Sequence, residues 1–372
     1  MRFSSHIRLV LREKVVVMAT PALFTPITLR DLTFKNRLWI APMCQYSAED
    51  GKVGQWHVMH LGAFASGGAG LVIAEATGVV PEGRISVGCP GLWSDEVAES
   101  WRPVVELVHS LDAKIGIQLA HAGRKGSRKR EWDGGHAEPH DGGWETVGPS
   151  DNAYQGYPAS RALAVHEIQR LVMDFAEAAR RAIRVGFDVL EIHAAHGYLL
   201  HEFLSPLVNE RTDEYGGSFE NRARLLLDVV HAVRDVMPAG MPLLVRISAT
   251  DWAEGGWDLD QSKKLAHLLK AAGVDLIDVS TAGAVQHQEV KAGPHFQVPF
   301  ATAIRQEAEI PTSCVGLITD PVKANAIVEN GEADVVMIAR AALRNPRWPL
   351  FAAESLGHRI DLPVQLNRGR TL

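Results

Sequence analysis

Cysteine is scarce in this chain. Cys44, Cys89 and Cys314 stand far apart among 372 residues and form no Cys-x-x-Cys pair. This spacing excludes a disulfide framework, an iron–sulfur cluster and a cysteine-spaced structural zinc site, and it fits a reducing, cytoplasmic compartment. Long apolar runs are missing too: none approaches the roughly 20 residues needed to span a bilayer, so no membrane association is expected. Basic excess is absent, with a formal net charge of -6 and a pI near 6.2. That leaves no electrostatic footprint for nucleic acid. No Gly-x-Gly-x-x-Gly follows a strand-like run, so a Rossmann dinucleotide site has no support. His-Glu-x-x-His is absent as well, and no metal ligands are assigned.

The first residues differ from the rest. Residues 1–20 mix an apolar and basic stretch with Arg8, Arg12, Glu13 and Lys14, which breaks up any signal-peptide core. They read as a disordered extension ahead of the fold.

From residue 37 onward, short apolar runs alternate with helical patterns. The strand candidates are 37–43, 71–77, 114–120, 189–193, 243–248, 275–280, 312–316 and 335–339. Their near-continuous apolar character suits strands covered on both faces. Helical spacing marks 56–65, 95–110, 166–185, 219–237, 261–272, 300–308, 321–330 and 348–356. Asp320-Pro321 and Asn345-Pro346 read as helix starts, and Gly186, Gly273 and Gly331 as helix stops. Repeated strand–helix pairs with no strand-only block predict a parallel sheet, and eight of them favour a closed (β/α)8 TIM barrel over an open doubly wound sheet. The predicted organisation is one α/β barrel domain over 21–358 and a tail over 359–372. The connection after the third strand, 123–164, is too long for an ordinary loop and reads as a functional insertion over the barrel mouth.

In such a barrel the strand C-termini converge on one mouth, so their residues are the candidates for chemistry. Gly316, Ala339 and Arg340 close the last two strands, where barrels often cradle phosphate; an arginine paired with a rim carboxylate is the alternative. His193 and His196 read as paired imidazole donors for one ligand oxygen, against a metal pair or a pair satisfied by backbone. Tyr198 reads as a general acid or as packing. Gln118 and Arg246 suit the polar edge of a planar heterocycle, with an internal ion pair as the alternative for Arg246. Cys44 reads as a cofactor contact or a packed thiol.

Together these residues are identified with a known family. Ala41-Pro42-Met43-Cys44-Gln45-Tyr46, Pro81-Glu82-Gly83-Arg84-Ile85, Gln118 to Lys125, His193 to Tyr198 and Arg211 to Ser218 resemble the old yellow enzyme family in its thermophilic-like class. The likeness runs from about Leu23 to Arg368. It implies FMN held by Ala41, Pro42, Met43, Cys44, Ala76, Gln118 and Arg246, with its phosphate at Gly316, Ala339 and Arg340. It implies a substrate oxygen bound by His193 and His196, a pocket lined by Tyr46 and Ile85, proton donation by Tyr198, and flavin modulation by Cys44. The implied activity is an FMN-dependent ene-reductase that takes NADPH or NADH and then an activated alkene. The implied assembly is a homodimer or homotetramer in which Arg368 enters a neighbouring subunit. Leu366 and the closing Arg370-Thr371-Leu372 depart from the family's tail, and Ala339 stands where glycine is common. The rivals are a non-redox barrel enzyme on a phosphorylated substrate and a flavin-binding protein without catalysis.

Overall fold

The computed structural model describes residues 19–369; residues 1–18, which hold most of the predicted extension, lie outside the described residues. Eight parallel strands close into a barrel in sequential order. They are β1 (Leu38–Ile40), β2 (Leu71–Gly78), β3 (Lys114–Ala120), β4 (Val189–Ala194), β5 (Leu243–Ser248), β6 (Leu276–Ser280), β7 (Thr312–Cys314) and β8 (Val335–Ile338). The expected barrel is therefore the observed one, with each strand inside or near its predicted limits.

The surrounding helices are α1 (Gln55–Ala65), α2 (Arg102–Ser110), α3 (Val165–Val185), α4 (Phe219–Val236), α5 (Leu259–Ala271), α6 (Val298–Ala308), α7 (Pro321–Glu329) and α8 (Trp348–Ser355). Their starts are set by side-chain caps. Ser218 accepts from the Asn221 N–H, Asp258 from Gln261, and Asp320 from both Val322 and Lys323. Gly186 ends α3 at φ 110, with its N–H on the Ala182 carbonyl. The predicted helix over 95–110 is two helices, Asp95–Glu99 and α2. Pro103 falls in the first turn of the second, where its missing N–H costs nothing, and Trp101 fills the break as a fully buried ring. The α8 helix begins at Trp348 rather than at Asn345-Pro346.

Inside the barrel the strands alternate. Trp39, Leu71, Ile73, Val189, Leu244, Leu276, Val335 and Met337 form one apolar cluster with Phe34. Phe34 belongs to an antiparallel hairpin, Ile27–Leu29 with Leu32–Phe34, which the sequence pattern does not reveal. Its turn at Arg30 and Asp31 carries no glycine, although Arg30 sits at φ 51, so the usual hairpin signal is lacking. The Phe34 ring lies 4.5 Å from Trp39, and the hairpin plugs the N-terminal end of the barrel. The opposite faces of the strands pack on the helices in a larger cluster that includes Trp101, Phe175, Phe203 and Trp257. Burying each such side chain contributes roughly 1.5–3 kcal/mol.

The long connection after β3 is structured, not a bare loop. It holds short 3-10 turns at Gly123–Lys125 and Pro139–Asp141 and a two-residue parallel ladder of Val147–Gly148 with Arg161–Ala162. Arg211 braces it, donating to the Pro149 and Leu163 carbonyls at 3.0 and 2.6 Å while pairing with Asp213. The Arg211 to Ser218 run thus acts as scaffold for the mouth.

Candidate active site

Two residues beyond the apolar ring, the strands from β3 to β7 place polar residues inside. On β4 the alternation Val189, Glu191, His193 points all three inward, and β5 and β6 repeat it with Leu244, Arg246, Ser248 and Leu276, Asp278, Ser280. Register sets them side by side: Gln118 pairs with Glu191, His193 and Asp278 both pair with Arg246, and Ser313 pairs with Asp278.

The contacts follow. Gln118 Nε2 donates to Glu191 Oε1 at 2.7 Å, and Ser313 Oγ donates to Asp278 Oδ1 at 2.7 Å. Arg246 Nε lies 2.9 Å from Asp278 Oδ2, at an angle too oblique for a hydrogen bond. The internal ion pair considered for Arg246 is therefore present, and it forms the floor of the site. Two buried carboxylates share one guanidinium here. Burial, reinforced by Asp278, pushes the Glu191 carboxyl up to about 8, and burial also raises Asp278 against the pull of Arg246 and Ser313. Among the described residues, Glu191 Oε2 has no hydrogen-bond partner.

Above this floor stand His193, His196 and Tyr198. The His193 ring lies 5.1 Å from that of His196 and 5.1 Å from that of Tyr198, near perpendicular to both. His196 sits at φ 61, held by its own N–H donating to Ser248 Oγ at 2.9 Å, which turns the ring back over the barrel. Its Nε2 lies 2.7 Å from Ser280 Oγ, while the buried His193 Nδ1 has no partner among the described residues. Burial first, then the Arg246 charge, holds both imidazoles well below the ordinary histidine range, so both are neutral at neutral pH. Burial raises the Tyr198 phenol well above its usual value, keeping its proton in place.

Cys44, Tyr46 and Tyr198 pack against Ala76, Ile85, Cys89 and Ala120 as one apolar wall. A Cys89 hydrogen bond and burial raise the Cys44 thiol well above its usual value. At the opposite side, Gly316 at φ 122 and Leu317 at φ 53 turn the chain sharply after β7. A Cβ on Gly316 would come within 2.9 Å of Gln297 Nε2, so only glycine fits this turn. Gly316, Leu317, Ala339, Arg340 and Arg344 line one cavity, with Arg340 exposed. Arg344 is a second arginine there that strand-end reasoning does not reach.

The structure thus gathers Cys44, Tyr46, Ala76, Ile85, Gln118, His193, His196, Tyr198 and Arg246 at one mouth, with Ala41, Pro42 and Met43 leading from β1 into Cys44. Arg368 is elsewhere. The tail packs along the N-terminal end, where Asp361 to Gln365 border Gly68, Leu111 and Asp112, and Arg368 is exposed there. Strand-end positions alone miss Glu191 and Asp278, whose inward period-2 placement is the available signal; Ser280 ends β6 and is itself a strand-end position. They also miss Lys125, whose Nζ donates to the His196 carbonyl at 2.8 Å and lies 5.2 Å from the Tyr198 ring. Burial pulls that amine down to about 8.

The donor set fits a flat heterocycle with a phosphate tail: an unpartnered imidazole nitrogen, a buried guanidinium, a side-chain amide and a glycine cradle beside two arginines. Comparison with known proteins agrees. Residues 22–358 match the model of the NADH:flavin oxidoreductase / NADH oxidase family. The NADPH dehydrogenase of Geobacillus thermodenitrificans is 47% identical over 350 residues, 93% of this chain and 98% of that protein. A solved morphinone reductase superposes with a TM-score of 0.77 at 31% identity, covering 93% of this chain and 92% of that one. A 2-naphthoyl-CoA reductase superposes at 0.82 with 26% identity over 90% of this chain, which spans 52% of that protein's length. Among the described residues no helix is long and apolar enough to cross a membrane. This chain belongs to the NADH:flavin oxidoreductase / NADH oxidase family, as an FMN-containing, NAD(P)H-dependent flavin oxidoreductase of the old yellow enzyme type.

Proposed function

We propose that the protein is a cytoplasmic ene-reductase that takes NADPH or NADH and then reduces activated alkenes: enones, enals, maleimides and nitroalkenes. FMN, when bound, supplies the group that takes up a hydride and gives it on. Ala41, Pro42, Met43, Cys44 and Ala76 would hold its ring system, Gln118 and Arg246 its polar edge, and Gly316, Ala339 and Arg340 its phosphate. The other catalytic tasks fall to the chain's own side chains.

His193 and His196 bind the oxygen of the substrate's carbonyl or nitro group. Because both rings are neutral, they donate N–H bonds without adding charge, and these bonds strengthen as negative charge develops on that oxygen. Ser280 Oγ, 2.7 Å from His196 Nε2, anchors that ring from below and fixes its orientation over the barrel. Tyr198 gives its proton to the α-carbon. Tyr46 and Ile85 shape the pocket, and Cys44 tunes the flavin. Both substrates use one mouth in turn, which agrees with the missing Rossmann motif. In a homodimer or homotetramer, Arg368 would complete the mouth of a neighbouring subunit, since its own tail lies at the other end of the barrel.

The observation that carries this reading is the His193–His196–Tyr198 constellation, three rings with neighbouring centroids 5.1 Å apart above a buried Arg246. Anaerobic reduction by NADPH followed by mixing with 2-cyclohexenone or N-ethylmaleimide tests it. Tyr198→Phe should slow alkene reduction by roughly 100-fold or more and leave flavin reduction near wild type. Equal loss in both half-reactions would remove Tyr198 from the proton-donor role.

A further inference from the structure

Cys89 takes no part in the chemistry above, yet it touches the site. Cys44, Glu75 and Cys89 come from three separate segments, and their donor atoms all lie within 4.8 Å of one another. Glu75 reaches this position because β2 carries an irregularity between Ala74 and Ala76, which turns the side chain aside from the regular ladder. Bulges of this kind re-aim side chains beside active sites.

Glu75 is buried, and among the described residues no lysine or arginine pairs with it. It accepts the Gln45 N–H at 2.8 Å, and His57 Nε2 lies 3.3 Å from its other oxygen. His57 is 1% exposed, its Nε2 has no hydrogen-bond partner among the described residues, and it points toward Glu75. Arg84, whose charge reaches Cys89, gives its donors to the Pro81 and Val87 carbonyls instead. A carboxylate and two thiols thus converge where, among the described residues, no lysine or arginine pairs with them and His57 faces the carboxylate.

We propose that Cys44, Cys89 and Glu75 form a binding site for a thiophilic divalent cation, of which zinc is the natural example. Two sulfurs and one carboxylate oxygen select zinc or cadmium over magnesium or calcium. Zn–S distances of about 2.3 Å place tetrahedral sulfurs about 3.8 Å apart, within the spread seen here. Three protein donors leave one position open, and His57 behind Glu75 orients the carboxylate as an outer partner. Both thiols lose their protons to solvent as the cation binds. Occupancy takes the Cys44 sulfur away from the flavin, so the site links metal supply to turnover.

The flavin-loaded enzyme should be titrated with Zn2+ against a chromogenic zinc chelator, and with Cd2+ while following the ultraviolet cadmium–thiolate band. The expected result is one equivalent bound per chain, weakened at least about tenfold by Cys89→Ser and unchanged by Cys314→Ser, whose thiol is buried in β7. In the unsubstituted protein, Zn2+ should also protect Cys44 and Cys89 together from alkylation, read by peptide mass. No saturable binding, binding indifferent to Cys89→Ser, or equal alkylation with and without Zn2+ would each overturn the site.

Discussion

Two rings of inward-facing side chains divide the barrel interior, and β4, β5 and β6 carry a member of each, one step apart. The lower ring is Trp39, Leu71, Val189, Leu244, Leu276 and Val335, plugged by Phe34. The upper ring is Gln118, Glu191, Arg246, Asp278 and Ser313, in which Gln118 meets Glu191 at 2.7 Å while Ser313 and Arg246 meet Asp278 at 2.7 and 2.9 Å. Both are almost fully buried, so burial does not distinguish them. The lower ring gains stability by leaving water. The upper ring gives up part of that gain to hold charge in a low dielectric, where it acts strongly on whatever lies above it.

The sharpest way to break this comparison uses one strand. Arg246→Met removes the guanidinium in contact with Asp278 and leaves two buried carboxylates without their shared cation. Loss of one partner of a buried pair costs about 3–5 kcal/mol, and the purified protein should emerge nearly free of yellow colour. Urea denaturation and flavin absorbance check both. Two residues down β5, Leu244→Ala should cost about 3 kcal/mol through its cavity, with FMN retained and both half-reaction rates per folded molecule unchanged. If Leu244→Ala sheds flavin as readily as Arg246→Met, the rings form one unit and the division fails.

The division is partly legible in the sequence. Apolar runs locate the eight strands, and His193, His196, Tyr198, Gln118 and Arg246 stand at strand ends where a barrel collects its chemistry. Glu191 and Asp278 lie inside the same strands, yet their partnership depends on how neighbouring strands are staggered, which no single run encodes. The contact of Cys44 with Cys89 has the same origin: the chain between them folds through α1 and β2, so spacing cannot reveal it. Helix limits shift where a side chain decides them, as with Asp258, which starts α5 ahead of its apolar pattern. The tail's family signature is readable, but its position at the N-terminal end of the barrel is not.

Glu191 sharpens the comparison through pH. Its carboxyl is raised to about 8 in the fold, so between its unfolded value and about 8 the native state holds a proton that the unfolded chain has released. Stability from this group is therefore complete at low pH and is lost as pH rises through about 8. The slope is at most about 1.4 kcal/mol per pH unit for each such group. Glu191→Gln keeps an oxygen for Gln118 to donate to and cannot ionise. Denaturation from about pH 5 to about pH 9 should show a shallower fall in the variant. A residual slope should persist, because burial also raises Glu202 to about 8. An unchanged slope would mean that Glu191 titrates normally and that Arg246 answers to both carboxylates.

The smallest effect belongs outside both rings. Asp320 caps α7, accepting from the Val322 and Lys323 N–H groups at 2.8 and 3.1 Å on the exposed shell. Asp320→Ala leaves those donors to water and should cost about 1 kcal/mol. The α7 helix follows β7, whose turn at Gly316 borders the cavity of Arg340 and Arg344, so loosening its first turn tests how rigidly the shell holds that corner. Gly316 is fixed instead by Gln297, which donates to the Val315 carbonyl at 2.7 Å from the other side. The expected outcome is a lower denaturation midpoint with unchanged FMN affinity, measured by fluorescence titration of the flavin-free protein. A matching loss of FMN affinity would show that this corner depends on the helix cap and not on the Gln297 brace.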